Sequence, residues 1–239
     1  MKELYRIYPI LTSKIQIDKG VFTYLRNFGE KLLVPTLAWL IDGGKEPILV
    51  DPGCSLQEFM QFSVLSSGGE EGVPIEESLE KYGISPSDIK TIVMTHLHSD
   101  HVLNAKKFPN AKVIVQEEEL EFARNPHPLF SAIFRDEWYE GLDFKTIQGD
   151  TEVIPGVKAV FTPGHTPGGQ SVSVTTEKGE AVIVGLCTLD DNFTDKGDMI
   201  PTPHTNPLEA YDSITRIRKI ADFIIPLHSE RAVAAEYLP

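Results

Sequence analysis

The sequence predicts an α/β protein in which two sheets pack face to face with helices on their outer surfaces. Three observations carry that expectation. Short β-branched runs alternate with helical patterns in two similar halves, turn residues punctuate most of the runs, and histidines gather where strand-like runs end. With 239 residues, of which 41% are hydrophobic, the chain can bury a substantial core as a single domain over residues 1–239.

Taken in order, strand-like segments occupy residues 4–11 and 21–25, then 32–42 and 47–50, the last two linked as a hairpin through Asp42-Gly43-Gly44. Asp51-Pro52-Gly53 ends the strand sharply, and a carboxylate at a strand end near histidines can hold an imidazole through its free N–H. Residues 54–72 are irregular, with Phe59, Met60, Phe62, Val64 and Leu65 ahead of a Ser-Ser-Gly-Gly break, and read as a helix packed on the body or part of a lid. A helix over 74–82 closes at Gly83. After a strand at 91–95 come a short helix to Lys107, a strand at 112–115 and a helix over Glu117–Arg124. Residues 125–142 hold Phe130, Phe134, Trp138 and Tyr139 between prolines, aromatics that fill core or roof an apolar pocket. Strands follow at 144–147, 153–154, Val157–Phe161, 171–175 and 181–184, before a helix over Pro207–Ile220 and a last strand, Phe223–Ile225.

The chemistry concentrates after residue 95, where the chain reads His96-Leu97-His98-Ser99-Asp100-His101. If the backbone stays extended, His96 and His98 project to one side while Leu97 points into the core, so two ligands face one ion. Ser99 or Asp100 can cap a helix whose turn swings Asp100 and His101 to a neighbouring position, where a second ion can sit. Four ligand-type groups within six residues at this spacing are a metal signature. Two further histidines stand at strand ends, His165 within Thr162-Pro163-Gly164-His165-Thr166-Pro167-Gly168-Gly169 and His228 within Pro226-Leu227-His228-Ser229-Glu230.

Composition narrows the partners. A formal net charge of −13 repels phosphate backbones and anionic membranes, so nucleic acid and membrane are not expected. The N-terminus scatters Lys2, Glu3 and Arg6 among apolar residues and lacks the apolar core of a signal peptide. Only Cys54 and Cys187 are present, too few for a disulfide framework, which agrees with a cytoplasmic setting. The expected partner is a small-molecule substrate, and the one assembly expected is a homodimer.

His96-x-His98-x-Asp100-His101, the Gly-His165 block, Asp51-Pro52-Gly53 and the late His228 together resemble the metallo-β-lactamase-fold hydrolases, over nearly the whole chain. Residues 32–40, the Phe161-to-Ser171 run and Asn192-Phe193 resemble the quorum-quenching N-acyl-homoserine lactonase branch. The resemblance implies a four-layer αββα sandwich with two metal ions, zinc first and iron, manganese or cobalt as substitutes. It places His96, His98 and His165 on one ion and Asp100, His101 and His228 on the other.

Two departures stand out. The metal-bridging aspartate common in the family is absent from Val184-Gly185-Leu186-Cys187-Thr188, which leaves Cys187 as a candidate thiolate ligand and Asp190 and Asp191 as alternatives. Thr188 stands where the lactonases carry a tyrosine that polarises the lactone carbonyl, and Tyr24, Tyr139 and Tyr211 are the candidates to replace it. Metal chemistry then implies the reaction. Water on an ion held by three imidazoles has its pKa lowered from about 16 towards about 7, and the hydroxide opens a lactone while Asp100 carries the proton to the leaving alkoxide. A thioester or a β-lactam is the alternative substrate, and sulfur oxidation at a single iron is the alternative reaction.

Overall fold

The computed structural model describes residues 3–63, 65–195, 197–202 and 204–239; Lys2 and Val64 lie outside them. Two sheets organise the chain. The first runs through β1 (Arg6–Asp18), β2 (Lys31–Asp42), β3 (Ile48–Val50), β4 (Gly69–Glu71), β5 (Thr91–Val93), β6 (Lys112–Gln116) and β7 (Asp143–Ile147). Its spatial order is β4-β1-β2-β3-β5-β6-β7, antiparallel from β4 to β3 and parallel from β3 to β7. The second holds β8 (Thr151–Ile154), β9 (Val157–Phe161), β10 (Gln170–Thr176), β11 (Gly179–Ile183) and, beyond a small ribbon of β12 (Phe193–Thr194) and β13 (Gly197–Asp198), β14 (Phe223–Ile225). Its order is β14-β11-β10-β9-β8, with only β11 and β14 parallel.

Side-chain alternation explains the layering. Along β2, Leu37, Trp39 and Ile41 meet Val157, Val172, Val174 and Ile183 of the second sheet, while Ala38 and Leu40 face the opposite way. That opposite face is covered by α2 (Ile75–Glu80), α4 (Glu117–Arg124) and α5 (Asp136–Tyr139) through Leu79, Leu120 and Trp138. The outer face of the second sheet, with Val182 and Val184, is covered by α6 (Pro207–Ile220), whose Ala210, Ile214 and Ile217 recur at helical spacing. Helix, sheet, sheet and helix give the αββα sandwich expected from the sequence. A strand buried on both faces also accounts for the uninterrupted apolar run in β2.

Several elements depart from expectation. Residues 21–25 are not a strand: a 3-10 turn, Lys19–Val21, and a loop occupy them, with Leu25 at φ +56°. The Asp18 carboxylate accepts the N–H groups of Gly20 and Gly29, both at 2.8 Å, so a local polar turn overrides β-branched propensity. β1 runs on to Asp18 through the polar stretch that suggested its end, because β2 pairs with it along nearly its whole length. Residues 54–72 resolve into α1 (Leu56–Phe62), capped by Ser55, and the edge strand β4. In 125–142 the aromatics take the first reading, as core, and the cavity is met by their aliphatic neighbours. Phe134, Trp138 and Tyr139 are core, whereas Ala132 and Ile133 line a cavity.

Candidate metal centre

The two sheets bring their strand ends together at one edge, and each functional side chain hangs from such an end. Asp51, directly beyond β3, adopts φ +46°, a conformation rare outside glycine. In it the carboxylate accepts the N–H of Thr95 at 2.7 Å and the Thr95 hydroxyl at 2.6 Å, which aims the segment following β5. His96 Nδ1 lies 3.0 Å from Thr95 Oγ1. The Thr95 proton already points at Asp51, so Nδ1 is the donor and the lone pair of His96 sits on Nε2. His101 is oriented alike, its Nδ1 3.0 Å from Asp51, and His228 donates from Nδ1 to the Pro35 carbonyl at 2.9 Å. Outer partners thus select the tautomer and turn Nε2 inward in three separate histidines. The short helix is α3 (Ser99–Val102), and its cap is His98 rather than Ser99 or Asp100, with no side-chain capping bond.

The side chains fall into two trios. His96, His98 and His165 form one and Asp100, His101 and His228 the other, the potential ligand atoms within each lying no more than 4.8 Å apart. The trios are contiguous, for the His96 and His101 rings are 4.3 Å apart. All five imidazoles are buried. Burial and then neighbouring imidazoles hold His96 and His98 well below the usual histidine range, so both are neutral. Burial opposes ionisation of Asp100, but His101 3.2 Å away outweighs it and holds the carboxyl well below the carboxylate range.

Divalent metal fits this donor set. His96 Nε2 and His98 Nε2 are buried acceptors with no hydrogen-bonding partner among the described residues, the condition in which an ion is missing from an account of satisfied polar groups. Cys187 stands outside the compact trios, yet its Sγ lies 3.3 Å from His228 Nε2. Burial raises its thiol pKa, and His228 and His101 outweigh burial to lower it. An aspartate cannot stand at Gly185, where an added Cβ would meet the Gln170 carbonyl oxygen at 1.8 Å. The alternatives to Cys187 are engaged elsewhere. Asp190 accepts from Ser229 at 2.7 Å and from the Arg231 N–H, and exposed Asp191 pairs with Lys19 at 2.8 Å.

A cavity opens over both trios. His98, Asp100, His165, Cys187 and His228 form its floor, and Ile15, Ile17, Phe22, Val34, Phe59 and Ile133 wall it. No tyrosine lines it among the described residues, which corrects the expectation for Tyr24, Tyr139 and Tyr211. Tyr139 is buried and donates its hydroxyl to the Leu97 carbonyl at 2.7 Å, Tyr211 is half exposed, and the Tyr24 ring packs against His204.

One buried carboxylate beside the trios was not singled out in the sequence. Glu119 is fully buried in α4, its Oε1 accepting the Leu97 N–H at 2.9 Å and its Oε2 the Gly168 N–H at 3.1 Å. Burial pushes its carboxyl up to about 7 against the lowering effect of the nearby Thr166 hydroxyl and then of these two N–H groups. The available signal was helical phase, because Glu119 shares the inner face with Leu120 and Ala123.

Comparison with known proteins agrees with this geometry. Residues 33–216 match the metallo-beta-lactamase superfamily. An N-acyl homoserine lactonase of Bacillus thuringiensis is 30% identical over 232 residues, covering 90% of this chain and 88% of that protein. A crystal structure of a B. thuringiensis AiiA variant with N-decanoyl-L-homoserine bound at the active site superposes with a TM-score of 0.83 at 28% identity, covering 100% of both chains. An N-acyl homoserine lactone hydrolase with N-hexanoyl-L-homoserine at its catalytic metal center gives 0.82 at 28% identity, again over 100% of both.

Proposed function

The chain belongs to the metallo-β-lactamase superfamily, and from that premise we propose that it is a metal-dependent hydrolase opening the ring of an N-acyl-homoserine lactone or a closely related ester. One observation carries the reading: a cavity with aliphatic and aromatic walls whose floor takes in His98 and His165 of one trio and Asp100 and His228 of the other. The floor suits a polar ring and the walls suit an acyl chain.

In this reading His96, His98 and His165 hold one ion, and Asp100, His101 and His228, with Cys187 as a further ligand, hold the second. Nitrogen, carboxylate and thiolate donors suit zinc, and two zinc ions there would polarise a carbonyl and acidify water. The chain does the rest. Asp51, Thr95 and the Pro35 carbonyl keep three Nε2 lone pairs inward. Asp100, kept ionised beside His101 and facing the cavity, takes the proton of the attacking water and returns it to the departing alkoxide oxygen. The apolar walls seat the acyl chain and exclude bulk water from the reacting carbonyl. Two buried free thiols, Cys54 and Cys187, suit a cytoplasmic location, and no helix among the described residues is long and apolar enough to cross a membrane.

A panel of N-acyl-homoserine lactones, simple esters, thioesters and β-lactams tests the proposal, run with and without a chelator. The lactones are expected to be the preferred substrates, with activity lost on chelation and restored by zinc. Faster turnover of a thioester or a β-lactam, or chelator-resistant lactone hydrolysis, overturns it.

A further inference from the structure

We propose that Glu119 is a positioning residue for the His96, His98 and His165 trio, one buried carboxylate that holds two separate ligand-bearing loops at the spacing an ion requires. The inference rests on the reading of that trio as a metal site.

The two loops come from different sheets and meet otherwise at Gln170, whose N–H donates to the Thr95 carbonyl at 2.9 Å. Leu97 lies between His96 and His98 in the segment following β5, in the seven-stranded sheet; Gly168 lies three residues past His165, between β9 and β10 of the other sheet. Glu119 belongs to neither sheet, yet it spends one oxygen on each loop. Leu97 is held at both polar ends of its backbone, since its carbonyl accepts the Tyr139 hydroxyl, so its peptide groups cannot rotate without breaking a buried bond. The loop bearing His165 seats directly on the helix: a Cβ at Gly168 would meet the Glu119 backbone nitrogen at 2.1 Å. Only glycine permits that approach. A carboxylate is the right group for the task, because it presents two acceptor oxygens to two N–H donors and leaves none unsatisfied.

The second trio is held by other means. Asp51 orients His101, and the Pro35 carbonyl orients His228. Glu119 has no hydrogen bond to Asp100, His101 or His228 among the described residues. Its loss therefore acts on one centre and spares the other, which a general loss of packing would not do.

The test uses Glu119→Gln, which keeps the shape but turns an NH₂ group towards one of the two N–H donors. Metal-free wild type and variant are titrated with Co²⁺ against a competing chelator, and His98→Ala identifies the equivalent that belongs to the first trio. Expected is a loss of about ten- to a hundredfold in affinity for that equivalent alone, the size usual for a residue that orients ligands. Glu119→Asp, one methylene short of spanning both loops, is expected to give the same selective loss, and it serves if Glu119→Gln does not fold. Unchanged affinities in the folded variants, or equal weakening of both equivalents, overturn the inference and leave the metal reading standing. A wild-type protein that takes up no Co²⁺ overturns both.

Discussion

At the scale of single residues, the centre is built by side chains that do not themselves face the cavity. Asp51 accepts a strained backbone, of the order of 1–3 kcal/mol for such a conformation, and in return fixes Thr95 and His101 together. Gly185 leaves no room for a side chain, and in the proposed centre Cys187 stands in for the missing carboxylate. Cobalt-loaded wild type is therefore expected to display a sulfur-to-metal charge-transfer absorption that disappears in Cys187→Ser, together with a roughly tenfold or greater loss of affinity for the second equivalent. Absence of that band from the wild type would remove Cys187 from the ligand set. The histidines were legible in the sequence because imidazoles clustered at alternating positions past a strand end converge on one point whatever the rest of the chain does. Cys187 was a candidate only through the family resemblance and the missing aspartate, and Glu119 was not legible at all. Their roles depend on what lies across from them in space, His228 for one and two loop N–H groups for the other, and nothing in Leu-Cys-Thr or Glu-Glu-Glu-Leu announces those neighbours.

Among elements, it is loops rather than strands that carry the demanding geometry. Gly164, one residue before His165, has φ +120°, and a Cβ there would meet the Ala210 nitrogen at 2.1 Å on the inner face of α6. Gly164→Ala is expected to destabilise the metal-free protein by about 2 kcal/mol or more, read as a lower urea midpoint at unchanged slope. A midpoint equal to that of the wild type would show that the loop can lift off the helix. The same contrast governs what the sequence revealed about elements. β2 was legible because burial on both faces demands an unbroken apolar run, and α6 because its inner stripe follows helical spacing. Residues 21–25 were misread because the Asp18 carboxylate, several positions away, reshapes a segment of high β propensity. The far end of β1 was missed because Lys14 and Gln16 are polar, while the bonds that keep them in the strand come from β2.

For the whole molecule, the decisive fact is that each trio draws from both sheets. His96 and His98 come from the first and His165 from the second; Asp100 and His101 come from the first and His228 from the second. An ion bound in either trio would accordingly tie the two halves of the sandwich together. Ligand linkage at a hundred times the dissociation constant amounts to about 2.7 kcal/mol per site. In a domain of this size chelation is therefore expected to lower the melting temperature by roughly 5–10 °C for one such site, with recovery on adding zinc, measured by calorimetry. An unchanged melting temperature would mean that the halves hold together without the ions. The two-sheet architecture itself was legible from the alternation of runs, since each sheet needs a partner for its apolar face. How closely the halves approach was not, because Gln170 bonding to the Thr95 and Met94 carbonyls is a contact between distant parts of the chain.

That division of ligands also sets an order of assembly. Neither half, folding alone, offers more than two donors to either ion, so an ion has little to grip until the sheets have docked. Metal capture at the proposed centre would then mark the close of folding rather than its nucleation, and a newly made chain would have to find its topology by burying apolar surface before any ion could reward it.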